Sequence, residues 1–248
     1  VYKRQSLFNY KKLKGLSKKT FSKINMIISQ SEQDKDNFVA VGANSRNVHI
    51  DSSLKFDALN FGFLESTFTY DENLIKDKKI ITCASTHPTE EEILLKSYLA
   101  LNDDSVHLVL APRHPERANE IGDFLREESI TFSFLKENEV NHLNIIKDVT
   151  IINEIGHLDF LYSISDIAFI GGTLIKHGGQ NFLEPIVHGL PISSGDSVYN
   201  FQEIANQLSE LNILKYGNSV EEISSIWREE LSKENNHLLK QKSLDYIH

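Results

Sequence analysis

Cysteine is almost missing from this chain of 248 residues: Cys83 stands alone, which excludes an intrachain disulfide and any cysteine-rich metal site. A reducing cytoplasm suits that usage. Long apolar runs are missing too. None approaches the roughly 20 residues that a membrane-spanning helix needs, and the opening residues carry no secretory leader pattern. A basic surface is lacking overall, since the formal net charge is −9, and this argues against general nucleic-acid binding. The ten histidines are scattered without metal-ligand spacing, and Asp34-Lys35-Asp36 sets its carboxylates two positions apart, off a common helix face. No metal site and no cofactor are expected. There is neither a Gly-x-Ser-x-Gly elbow nor a Walker loop. Acidic residues are absent from Val1 to Ser31, where every charged side chain is Lys or Arg. Contact with an anionic membrane is one use of such a stretch, but the solvated face of an amphipathic helix is the commoner one. Leu13, Leu16, Thr20, Phe21 and Ile24 fall at helical spacing and supply the apolar side of that helix.

What remains is an ordinary globular composition, with 40% hydrophobic and 25% charged residues. The first segment reads as a helix over Tyr10–Ile24, a strand over Met26–Gln30, a helix over Glu32–Val41 stopped by Gly42, and a strand over Asn47–Ile50. So few pieces do not close a sheet alone. Residues 1–56 are therefore expected to be the remnant of an N-terminal domain, and polar residues 57–78 a linker. Residues 79–248 alternate regularly. Strands are expected at Lys79–Ala84, His107–Ala111, Thr131–Phe134, Thr150–Asn153, Ile167–Ile170 and Leu190–Ser193. Helices are expected at Thr89–Leu101, Pro115–Glu127, Leu158–Ser163 and Asn181–His188, followed by three more at about Phe201–Leu211, Val220–Ser232 and Asn235–Tyr246. This pattern predicts an α/β fold, a Rossmann-like parallel sheet covered on both faces, with ligands outside the carboxyl ends of its strands.

Three loops at such strand ends carry the chemistry. After the first strand come Ser85, Thr86 and His87, the first two offering hydroxyls ahead of a helix start. Thr89 with Glu92 fits a capping box, a purely structural role. After the second, Arg113 and His114 form a cationic cluster suited to phosphate or carboxylate. Arg117 is better placed to pair with Glu116 or Glu120 on the helix surface. The third loop joins Gly171-Gly172 to Gly178-Gly179-Gln180-Asn181-Phe182-Leu183-Glu184. The glycines allow close backbone approach, Asn181 is an expected N-cap, and a phosphate at that helix start would meet unpaired N–H groups. Glu184 could hold a ribose diol, or could simply offset the helix dipole for about 0.3–1 kcal/mol.

Several of these segments resemble the family of 3-deoxy-D-manno-octulosonic acid (Kdo) transferases, glycosyltransferases of GT-B fold. The matching stretches are Leu54-Lys55-Phe56-Asp57, Ser85-Thr86-His87 with Glu90-Glu91, Pro112-Arg113-His114-Pro115-Glu116-Arg117, Gly171-Gly172-Thr173-Leu174, Gly178 to Pro185, and Asn200-Phe201. They keep the family's order from about Ser29 to Phe201. The chain departs from the pattern at Gln180, where the family usually carries His, and at His157, where it often carries Glu. Lys176 and His177 lie in a stretch that the family varies.

The resemblance implies inverting transfer of Kdo from CMP-Kdo to a lipid A precursor at the cytoplasmic face of the bacterial inner membrane. It makes Lys55, Arg113 and His87 the counter-charges, Glu184 the ribose contact, and Gly171, Gly172 and Asn181 the phosphate cradle. The family's N-terminal domain supplies the membrane anchor, the acceptor site and the carboxylate base. None of its motifs stands here, so the base is unassigned and the isolated chain is expected to be inactive. Another GT-B enzyme of nucleotide sugars, using a uridine nucleotide, and a non-catalytic nucleotide-binding module are the competing readings.

Overall fold

The strand-forming segments of the larger part of the chain are rich in apolar residues and mostly buried, as strands covered on both faces are. A computed structural model describes residues 10, 12–29, 32–50, 78–137, 140–141, 148–233 and 237–247. The chain divides into two compact units, Val1–Phe61 and Gly62–His248.

In the first unit, helix α1 (Lys14–Phe21), strand β1 (Ile27–Ser29), helix α2 (Glu32–Ala40) and strand β2 (Val48–Ile50) form a two-stranded parallel pair with its helices. Ile27, Ala43 and Val48 make its core, with Phe21, Ile24 and Phe38 packed against them. Gly42 ends α2 at φ +113°, and a Cβ there would lie 2.5 Å from the Lys18 Cα. That close approach fixes how α1 is turned. Ser17 faces inward and donates to the Tyr10 carbonyl, while Leu13 and Leu16 stay exposed. The expected apolar stripe of this helix is thus only half realised, at Phe21 and Ile24. Its lysines are solvated. Lys55 and nearly all of the expected linker lie outside the described residues.

The second unit holds the sheet. Its strands are β3 (Lys79–Thr86), β4 (Val106–Pro112), β5 (Phe132–Phe134), β8 (Val149–Ile151), β9 (Ile167–Ile170), β10 (Ile192–Ser194) and β11 (Leu214–Tyr216); a small antiparallel ribbon, β6 (Lys136–Glu137) with β7 (Val140–Asn141), lies between β5 and β8. All seven sheet strands run parallel in the order β11-β10-β9-β3-β4-β8-β5. The chain starts in the middle at β3, builds outward to one side, and then crosses to β9 on the other. That reversal opens a crevice at the carboxyl ends of β3 and β9.

Side chains on the two faces alternate as the pleat requires. On one face Ile81, Cys83, Leu108, Leu110, Val149 and Phe169 pack under α3 (Glu90–Leu99), α4 (Ala118–Glu127) and α8 (Val220–Leu231). On the other, Ile80, Val109 and Ala111 meet Phe160 and Leu161 of α5 (Leu158–Ser163). Each fully buried side chain of this kind contributes about 1.5–3 kcal/mol. Helix α6 (Leu183–Val187) packs between α5 and α9 (His237–Ile247), and α7 (Gln202–Glu210) precedes β11. Strand β11 and the ribbon are additions to the expected elements.

Candidate functional site

Strand β3 ends irregularly. A bulge shifts its register between Ala84 and Thr86, and Ser85 takes φ +55°. The bulge pushes the Ser85 carbonyl toward β9, where only glycine can follow: a Cβ on Gly171 would sit 2.3 Å from that oxygen. Beyond it, Gly172 turns the chain at φ +69°.

Glu90 organises this junction. It is fully buried, and its carboxylate accepts the N–H groups of His87 (2.9 Å), Gly172 (2.7 Å), Thr173 (3.0 Å) and Leu174 (2.9 Å). Burial raises its pKa, and these same hydrogen bonds oppose the rise. The Gly171 N–H goes to the Ala84 carbonyl (2.8 Å). The expectation that Gly171 and Gly172 cradle a phosphate through their amides is therefore corrected, because an internal carboxylate and a strand carbonyl already hold them. The capping box is corrected as well. Thr89 sits at φ +75° without a side-chain cap, and Glu92 pairs with Lys96. Nor does Thr86 offer its hydroxyl outward, since it donates to Glu91 at 3.0 Å. Arg117 binds Glu120 at 3.2 Å, a surface pairing that its position implied, and also the buried Glu91 at 2.9 Å, which it did not.

Five of the expected residues do converge. Ser85, Arg113, Gln180, Asn181 and Glu184 line one cavity of about 250 Å³ at the carboxyl ends of β3, β4 and β9. Asn181 accepts the Leu183 N–H through its side-chain oxygen (3.1 Å) and donates to Glu184 (3.0 Å), which aims the carboxylate; the N-cap of α6 is Phe182, so the expected cap at Asn181 is corrected to a turn one residue earlier. The N–H groups of Gln180 and Asn181 have no hydrogen-bond partner among the described residues. Burial holds the Glu184 pKa above the ordinary carboxylate value; Asn181 opposes the rise, Asp159 adds to it, and the Arg113 charge also opposes it.

The histidines cluster beside Gln180, and the expected His87 and His114 stand outside the lining of the cavity. His87 stacks on His177 with ring centroids 4.2 Å apart, and His114 is 6.4 Å away. The Gln180 amide nitrogen lies 3.3 Å from Nε2 of His87, so the amide donates and the imidazole accepts. Burial, then the neighbouring His177, His114, Arg113 and Arg117, push the His87 pKa down to about 4, which keeps it neutral at pH 7. His114 is exposed and lies 3.5 Å from Glu116. The loop is braced from outside by Asn200, whose N–H donates to the Gly178 carbonyl (3.0 Å) and whose amide donates to that of His177 (2.9 Å).

Sequence reasoning missed four wall residues: Ala84 and Ile170 on β3 and β9, and Leu158 and Tyr162 of α5. For the last two, their spacing of four on a helix that follows a strand exit was the available signal. It also gave Glu90 and Glu91 no structural role, although both are buried, and gave Glu92 a cap, although Glu92 is solvated and pairs with Lys96.

The sequence model of the family described as 3-deoxy-D-manno-octulosonic-acid transferase (kdotransferase) matches residues 2–58. A 3-deoxy-D-manno-octulosonic acid transferase of Haemophilus influenzae is 35% identical over 210 residues, 84% of this chain and 49% of that protein. The chain spans about half the length of the curated relatives it matches. Among solved structures, the C-terminal CMP-Kdo binding domain of WaaA from Acinetobacter baumannii superposes with a TM-score of 0.64 at 27% identity, over 70% of this chain and 91% of that one. A UDP-N-acetylglucosamine 2-epimerase from Listeria monocytogenes described as putative gives a TM-score of 0.56 at 15% identity, covering 88% of this chain and 54% of that one, a likeness of fold alone.

Proposed function

This chain belongs to the Kdo transferase family of GT-B glycosyltransferases, and from that premise we propose that it carries the donor site for moving Kdo from CMP-Kdo to a lipid A precursor. The observation that carries the reading is the placement of Arg113 and Glu184 on one cavity at the topological switch of the sheet. Glu184 accepts hydrogen bonds from the ribose hydroxyls. Arg113 and the unpaired N–H groups of Gln180 and Asn181 hold the phosphate. His87, held by Gln180 and neutral at pH 7, supplies no counter-charge, so that expected role falls to Arg113.

In the reaction an acceptor hydroxyl attacks the anomeric carbon of Kdo, and its proton passes to a base. The bond from that carbon to the phosphate oxygen breaks, and CMP leaves with the electron pair. Arg113 and the amides lower the barrier by meeting the charge that gathers on the leaving phosphate. No residue of the cavity is assigned as the base. A lipid-bearing acceptor calls for a membrane surface, and membership of the family supports the cytoplasmic face of the bacterial inner membrane as the site of the reaction. Among the described residues no helix is long and apolar enough to cross it.

Calorimetric titration with CMP, UMP, UDP and ADP tests the donor assignment. CMP is expected to bind tightest, and Glu184→Ala to weaken it about 10–100-fold. Preference for a uridine nucleotide, or indifference to Glu184→Ala, overturns it.

A further inference from the structure

One polar group of the cavity is used by neither the ribose nor the phosphate assignment. Tyr162 lies four residues after Leu158 on α5, so both project from one face of the helix into the same cavity. Only 1% of Tyr162 is exposed, and its hydroxyl has no hydrogen-bond partner among the described residues. The hydroxyl is not among the fully enclosed unpartnered atoms, so its free side opens on the cavity, where a bound molecule can take the place of water. Glu184 stands on α6, which packs directly on α5, and shares the cavity wall with it.

The two groups are chemically complementary. Burial lifts the phenol far above its ordinary pKa and the Glu184 charge lifts it further, so Tyr162 remains a hydrogen-bond donor at neutral pH. The ionised Glu184 only accepts. A sugar hydroxyl, which gives one hydrogen bond and takes another, satisfies both.

We propose that Tyr162 and Glu184 together read the ribose 2′-hydroxyl, which donates to the Glu184 carboxylate and accepts from the Tyr162 hydroxyl, so that the site selects ribonucleotides over their 2′-deoxy counterparts. The assignment rests on the reading of this cavity as a nucleotide site. Tyr162→Phe removes one oxygen and keeps the ring that packs beside His188, with centroids 6.3 Å apart. Titration of the whole chain with CMP and 2′-deoxy-CMP, on wild type and Tyr162→Phe, tests it. Wild type is expected to prefer CMP by about tenfold or more, and Tyr162→Phe to lose about tenfold for CMP while losing little for 2′-deoxy-CMP. The variant's unfolding midpoint should equal or exceed that of wild type. Equal CMP affinity in the two proteins overturns the proposal and leaves the nucleotide reading standing. So does an equal loss for both ligands, which would send the hydroxyl to another part of the nucleotide. A lowered midpoint would expose an internal partner and overturn it too. Failure of wild type to bind CMP removes the nucleotide reading itself, and the proposal with it.

Discussion

Gly171-Gly172 and Gly178-Gly179 are the same dipeptide in one loop, and they serve opposite ends. The first pair is structural. Gly171 gives the Ser85 carbonyl room, and the amides of Gly172, Thr173 and Leu174 close on Glu90. The second pair turns at φ +94° and +81° and releases Gln180 and Asn181 toward the cavity with their amides unpaired. Glycine content alone therefore does not say whether a loop will receive a phosphate. What matters is whether a buried acceptor has already taken its N–H groups.

Substitutions that damage folding on one side and binding on the other should separate the two pairs. The largest effect is expected from Glu90→Ala, which strands four buried N–H groups and should lower stability by about 3 kcal/mol or more in denaturant unfolding. Gly171→Ala drives a methyl group into fixed backbone and should cost about 3 kcal/mol by the same measurement. If either variant unfolds like wild type but no longer binds nucleotide, the structural assignment of the first pair is wrong. Glu184→Ala should do the reverse. Its weaker CMP binding should come with an unfolding midpoint no lower than wild type, because the carboxylate it removes is desolvated.

Gly178→Ala should cost less than Gly171→Ala, about 1–2 kcal/mol, from its left-handed backbone and from side chains of Tyr199 and Asn200 that can move. A further effect is in pH. Because the folded state holds His87 near pKa 4 and the unfolded chain restores 6.5, its contribution to stability is present above 6.5 and lost as pH falls from there toward about 4. His87→Gln should flatten that limb of a midpoint-against-pH curve; an unchanged limb would place the titration elsewhere.

The sheet was legible because its strands are short apolar runs between turn residues, and Ile167–Ile170 matches residue for residue. Strand β11 was not legible. Leu214-Lys215-Tyr216 is brief and only half buried, and it becomes a strand by pairing with β10, a contact that periodicity does not register. In the site, Arg113, Gln180, Asn181 and Glu184 were found through their places at strand exits and a helix start. Thr86 misled for a specific reason: the bulge at Ser85 sends one hydroxyl toward the cavity wall and turns the next one inward to Glu91. Bulges leave no signature in the order of letters. The division of labour among Glu90, Glu91 and Glu92 was equally hidden, since it depends on which of them reaches across to β9.

A carboxylate lodged among the amides of a turn also changes what an empty protein is. The turn after β9 is already folded around an anion of its own, so donor arrival does not have to freeze it. Amide protons of Gly172, Thr173 and Leu174 should exchange slowly with deuterium whether or not nucleotide is present, while those of Gln180 and Asn181 should slow only on saturation. Sulfate or inorganic phosphate should likewise bypass the glycine turn and gather beside Arg113.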